Sequence, residues 1–150
     1  MLNVGDKAPN FLSTDHSGKT ISLKDLKGTK FVLYFYPKDN TTGCTKEACD
    51  FRDSFAAFKK RGVKVIGVSP DTEKSHKGFK EKYELPFTLI ADPDKTICEA
   101  YGVWQEKSMY GRKYMGVVRT TFVIGETGKI EAVYSKVKVP GHIESLLETL

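Results

Sequence analysis

Two cysteines five residues apart, Cys44 and Cys49, stand in "YFYPKDNTTGCTKEACDFRD", residues 34–53. The stretch opens as a strand, breaks at Pro37 and then sets both thiols at the front of a helical pattern. A thiolate is a nucleophile and can be oxidised reversibly, so nucleophilic or redox chemistry is the natural use of such a pair. The spacing fits neither a structural zinc site nor a Cys-x-x-Cys pair. The third cysteine is Cys98, and the histidines His16, His76 and His142 fall in separate expected elements. A metal centre would have to draw three or four ligands from scattered places, so neither a metal nor any other cofactor is expected. An odd, sparse set of cysteines also argues against a structural disulfide framework.

The elements that must position these thiols have to fit in 150 residues, the size of one domain spanning 1–150. With 39% apolar and 11% aromatic residues the chain reads as globular rather than disordered or fibrous. Its longest apolar run, "FVLYFY" at 31–36, is far below the roughly 20 residues a membrane span needs. The opening "MLNVGDKAPN" lacks the apolar stretch of a signal peptide, which makes a cytoplasmic location the expectation. A net charge of +5 raises the question of nucleic acid, but Lys and Arg are scattered and usually sit beside acids. The densest basic-aromatic segment, "KSMYGRKYMGVVR" at 107–119, matches no binding motif. These charges read as solvated faces, with neither nucleic acid nor membrane as partner.

"SLKD" at 22–25 resembles a capping box and opens a short helix that ends near Gly28. Residues 31–36 form a buried strand. From Cys44 to Arg61 the apolar residues Ala48, Phe51, Phe55 and Phe58 recur at spacings of three and four, an amphipathic helix that Gly62 stops. A strand over 63–69, a helix running to about Tyr83, a strand over 87–92 and a short helix in "DPDKTICEAYG" follow. "TTFVI" and "KIEAVYS" flank "GETG" as a hairpin, and "HIESLLETL" closes the chain as a helix. Strands alternating with helices imply parallel crossovers. The expected fold class is α/β and thioredoxin-like, a central mixed sheet flanked by helices, with an N-terminal extension.

Cys44 then falls just past the first long strand, at the N-terminus of the next helix, the place where open α/β sheets bind ligands. Free N–H groups and the helix dipole favour an anion there. Gly43 keeps the approach to the sulfur open. Around this cysteine "PKDNTTGC" has the Pro-x-x-x-Thr-x-x-Cys pattern of peroxiredoxins at Pro37, Thr41 and Cys44. "VRTTFVI" is similar to that family's arginine-bearing strand and supplies Arg119, and "VGDKAPNF" and "GVWQEKS" add to the likeness. With Cys49 five residues on, the chain resembles the bacterioferritin-comigratory, or Q-type, peroxiredoxins over almost its whole length.

That resemblance implies a thiol peroxidase acting on hydrogen peroxide and organic hydroperoxides, recycled by thioredoxin or a similar dithiol, and a monomer. It implies Cys44 as the peroxidatic cysteine, Thr41 and Arg119 as donors to the peroxide, and Pro37 as a shield over the thiolate. Each has a plainer alternative: Thr41 as a helix N-cap, Pro37 as strand punctuation, Arg119 as a surface residue. Glu47 is either a capping-box acid or the acid that orients the arginine. Cys49 is implied as the resolving cysteine. In an unbroken helix five residues leave the two Cα atoms about 8.7 Å apart, beyond the roughly 7 Å a disulfide tolerates, so the helix would have to unwind. Cys98 reads as a buried structural thiol, with a second resolving cysteine as the rival. Competing functions are a thiol–disulfide oxidoreductase, a basic binding module and a Cys–His hydrolase.

Overall fold

The apolar stretches "KFVLYF" and "VKVIGVS" lie side by side and parallel at the centre of a seven-stranded sheet. The computed structural model describes residues 2–150. In chain order its elements are β1 (Leu12–Asp15), β2 (Thr20–Ser22), a 3-10 turn (Leu23–Leu26), β3 (Lys30–Phe35), α1 (Thr42–Asp53) and α2 (Phe55–Lys60). Then come β4 (Val63–Ser69), α3 (Glu73–Tyr83), β5 (Thr88–Ala91), α4 (Thr96–Ala100), β6 (Trp104–Met109), β7 (Arg112–Val117), β8 (Thr120–Ile124), β9 (Ile130–Tyr134) and α5 (His142–Thr149). The sheet order is β2-β1-β5-β4-β3-β8-β9; β3, β4 and β5 run parallel, and β8 and β9 close one edge antiparallel. This is the mixed α/β sheet that the sequence implies.

The two-residue alternation of β3 builds both layers. Phe31, Leu33 and Phe35 point into a cluster with Phe11, Leu26, Ile97, Cys98 and Tyr101. Val32, Tyr34 and Tyr36 point the other way, onto Cys44, Ala48 and Phe51 of α1, Phe58 of α2, Phe79 of α3 and Ile143 and Leu146 of α5. Both faces of β3 are buried, which is why it reads as an unbroken apolar run. Among the described residues no helix is long and apolar enough to cross a membrane.

Three features depart from the sequence reading. The helix expected over 44–61 starts at Thr42 and breaks at Ser54, which ends α1 and begins α2 with φ −104° and ψ 7°. The backbone pairing tightens there: the Ser54 carbonyl accepts from both Ala57 and Phe58 while its N–H donates to the Asp50 carbonyl, a mixture of three- and four-residue bonds. The periodicity survives the break because Phe51 and Phe58 still meet, with ring centroids 5.7 Å apart. Second, the N-terminal region contains the short strands β1 and β2, with β2 at the sheet edge, and their three or four residues carry too little apolar alternation to announce themselves. Third, the basic-aromatic segment is a hairpin, β6–β7, turning at Tyr110 and Gly111 with φ of 53° and 76°. It stands apart from the main sheet with Met109, Tyr110, Tyr114 and Met115 exposed, so no buried face marks its period.

Gly67 of β4 sits in register between Tyr34 and Leu89, and a Cβ there would lie 2.9 Å from Leu89 Cδ2 and 2.9 Å from Tyr34 Cζ. Tyr34 has no room to retreat, since Phe51 stacks on it at 4.5 Å between ring centroids. Gly67→Ala is therefore expected to cost about 1–3 kcal/mol, read from urea unfolding midpoints. An unchanged midpoint would mean that the Tyr34 ring is free to move.

Candidate active site

The loop that leaves β3 runs through Tyr36 and the half-buried Pro37, turns at Asn40 with φ 62°, and enters α1 after Thr41. Asparagine tolerates this left-handed backbone better than most residues. Thr41 is extended and occupies the N-cap position, where its backbone carbonyl accepts from the Thr45 N–H at 2.9 Å. Its hydroxyl, however, makes no capping bond and donates to the Lys38 carbonyl at 2.8 Å. Thr41 is thus an N-cap by position only, and the side chain itself is exposed.

Cys44 is the third residue of α1, within the turn whose N–H groups have no partner inside the helix. It is 2% exposed. Arg119 reaches it from the other side of the sequence. Phe35 pairs with Thr120, so Arg119 lies just beyond the register, at the end of β3 where the loop departs. Its Nη2 stands 3.3 Å from Cys44 Sγ and its Nη1 donates to Glu47 Oε1 at 2.7 Å. A Cβ on Gly43 would lie 3.3 Å from Arg119 Nη2. Gly43 therefore makes room for the guanidinium, a use the sequence reading did not assign to it.

Glu47 lies one turn after Cys44 and is fully buried. Of the two uses weighed for this residue, the geometry has it holding Arg119. One carboxylate oxygen takes the guanidinium, while Oε2 is buried with no hydrogen-bond partner. Burial pushes the Glu47 carboxyl up to about 7, against the opposing pull of Arg119. The Tyr34 hydroxyl is likewise buried without a partner, and burial, with Glu47 and Cys44 nearby, drives its pKa well up. His142 hydrogen-bonds Thr121 Oγ1 at 2.8 Å, and burial together with Arg119 holds it down to about 4. Among the described residues no histidine bonds Cys44, so the arrangement lacks the base of a Cys–His nucleophile.

The structure thus brings Cys44, Glu47 and Arg119 into contact, with Thr41 and Pro37 on the loop that leads to them. Cys49 is half-buried on the same unbroken helix, and both it and Cys44 are free thiols. Cys98 belongs to the opposite layer of the sheet from Cys44. Its N–H donates to Asp92 at 2.8 Å, and burial beside that carboxylate pushes the thiol far up. One group went unseen in the sequence: Asp39, from the same loop, is buried and bonded to Tyr36, Ser75 and His76. No periodicity or motif spacing marks it, because two of its partners, Ser75 and His76, come from α3, far along the chain.

Residues 4–133 match the model of the AhpC/TSA family. The chain is 54% identical over 149 residues to the Coxiella burnetii protein assigned provisionally as peroxiredoxin bcp, covering 99% of both chains. It is 48% identical to peroxiredoxin Bcp of Bacillus subtilis, over 99% of this chain and 95% of the relative. Among solved structures, a cysteine-to-serine variant of Xylella fastidiosa PrxQ superposes with a TM-score of 0.93 at 37% identity, over 99% of this chain and 95% of that one.

The Glu47 environment has a measurable consequence. A carboxyl raised from 4.5 to about 7 on folding binds more protons in the native state between those limits. Stability from this group is then full below about pH 4.5 and is lost as pH rises through about 7, by on the order of 3 kcal/mol. Glu47→Gln, which still accepts from Arg119, is expected to flatten that part of the stability–pH curve in urea unfolding. An unchanged slope would place the titration elsewhere.

Proposed function

The chain belongs to the AhpC/TSA family, on its bacterioferritin-comigratory or Q-type peroxiredoxin branch, and from that premise we propose a mechanism centred on Cys44. The Cys44 thiolate attacks one oxygen of a hydroperoxide. An S–O bond forms, the O–O bond breaks, and its electron pair leaves on the departing oxygen, which takes a proton to become water or an alcohol. Cys44 is left as a sulfenic acid. The observation that carries this reading is the Arg119 guanidinium set 3.3 Å from Cys44 Sγ and braced by Glu47. It can stabilise both the thiolate and the negative charge that grows on the leaving oxygen. The unpaired N–H groups at the start of α1 add donors of the same kind. Thr41 can turn its hydroxyl from Lys38 to the peroxide, and Pro37, lacking an N–H, keeps water from the sulfur.

Cys49 is the resolving cysteine in this scheme. Its sulfur attacks the Cys44 sulfenic acid, an S–S bond forms and water leaves. Thioredoxin or a similar dithiol then donates two electrons to reopen the disulfide. Because both cysteines lie on α1, the cycle needs no second chain, which fits a monomer. A cytoplasmic setting would supply the reducing dithiol that this cycle needs. Closing the bond requires the helix between the two cysteines to unwind, and its terminal turn has the fewest internal bonds to lose.

Two measurements test the scheme. Arg119→Ala is expected to slow peroxide consumption with a thioredoxin system by on the order of 10²-fold, with Cys44→Ser as the inactive reference; wild-type rates in either variant would sink the assignment. After one equivalent of peroxide, peptide mapping is expected to find a Cys44–Cys49 disulfide, with faster amide exchange across 43–51. Oxidation without that bond, or without faster exchange, removes Cys49 from the cycle.

A further inference from the structure

We propose that His76 and Asp39 are positioning residues for the peroxide step: a doubly protonated, buried imidazole clamps the loop that presents Thr41 and leads into Cys44. His76 lies on α3 and is 0% exposed. Its Nε2 faces the Ile90 carbonyl at 3.0 Å, and a carbonyl only accepts, so Nε2 carries a hydrogen. Its Nδ1 faces Asp39 Oδ2 at 2.7 Å, a contact that needs a proton between the two atoms. Asp39 already accepts from the Tyr36 hydroxyl at 2.6 Å and from the Ser75 hydroxyl at 2.8 Å, the pattern of an ionised carboxylate. The remaining proton therefore sits on Nδ1, and the pair is a buried imidazolium–carboxylate contact. Such a pair is costly to break by removing one partner, which suits a fixed anchor.

The backbone of Asp39 is held as well. Its N–H donates to Asp71 Oδ2 at 2.8 Å, and Asp71 is fixed by the Ser69 hydroxyl at 2.6 Å. Asp39, Asp71 and His76 are ligand types for a cation, yet Asp39 and Asp71 already accept protein donors and both His76 nitrogens donate. The cluster is a tie, binding the loop to β4, α3 and β5. The left-handed turn at Asn40 and then Thr41 follow directly from the tied residue. Arg119 approaches Cys44 from β8, on a separate route that the tie does not touch. The other ionisable side chains nearby are Tyr36, Asp71 and, across from α3, His16, whose pKa falls through burial and the neighbouring Lys80.

This inference rests on the proposed peroxidase reading and divides the site in two: Arg119 serves the thiolate, and the Asp39–His76 tie serves the placement of the peroxide donors. The test uses the full chain carrying Cys49→Ser and Cys98→Ser, so that Cys44 alone reports. In His76→Gln, whose nitrogen takes the place of Nε2, the rate of Cys44 oxidation by hydrogen peroxide is expected to fall about tenfold to a hundredfold. Alkylation of Cys44 by iodoacetamide, which uses no peroxide donor, should change little. His76→Asn, whose nitrogen takes the place of Nδ1, should recover most of the peroxide rate. The reference protein should show two slowly exchanging ring N–H protons for His76 by NMR. Should His76→Gln fail to fold, Tyr36→Phe removes one Asp39 bond and should give a smaller loss of the same kind. Peroxide rates unchanged in the folded variants, peroxide and alkylation rates falling together, or a single ring proton would each overturn the proposal. Failure of the reference protein to react with peroxide would instead defeat the peroxidase reading, leaving the ring-proton signature to decide the tie.

Discussion

A guanidinium can sit against a buried thiol only if something else holds it there. Arg119 is largely withdrawn from water, and its N–H groups are taken up by two side chains on one helix, Cys44 and Glu47. Removing a charged group from water costs several kcal/mol unless it is paired and hydrogen-bonded. Burial by itself would pull Arg119 toward losing its proton, but Glu47 and Cys44 more than offset that, so the guanidinium is held more firmly charged. The three side chains are therefore interdependent. Gly43, the end of β3 and the start of β8 are all arranged so that this contact can close.

The same contact explains the unequal treatment of the two carboxylate oxygens of Glu47. One is satisfied by Arg119 and the other is buried alone. A carboxyl so placed resists ionisation near neutrality, and so the arginine is braced by a group that does not fully cancel its charge. On the proposed mechanism that leaves positive potential directed at sulfur, where the reaction needs it.

On the proposed mechanism helix α1 carries opposing demands. Folded, it supplies the N-terminal N–H groups and buries Ala48 and Phe51 against Tyr34, anchoring the turn that bears Cys44. Yet Cys49 lies too far round the same helix to meet Cys44 while those turns are intact. The terminal turn is where such a conflict costs least. Upstream, the loop is tied through Asp39, and downstream the chain breaks at Ser54, so the helix lies between a firm attachment and a natural interruption.

The sequence by itself determined the main layers and the candidate nucleophile. Lys30–Phe35 and Val63–Ser69 are buried on both faces and so announce themselves as apolar runs, and the three-and-four spacing of Ala48, Phe51, Phe55 and Phe58 marks the helical face even across its break. Local spacing also placed Cys44 at a helix start, and the likeness to a family pointed to Thr41, Glu47 and Arg119. Short strands and an exposed hairpin, β1, β2 and β6–β7, were not legible because they bury too little to impose a period. Only the tertiary structure could decide that Glu47 grips Arg119, that the Thr41 hydroxyl turns to Lys38, and that Asp39 meets His76 across 37 residues of chain. Those contacts depend on sheet register and on how helices lie over it. Burial then gives them their strength, since a polar group withdrawn from water must find its partner wherever the fold has put one.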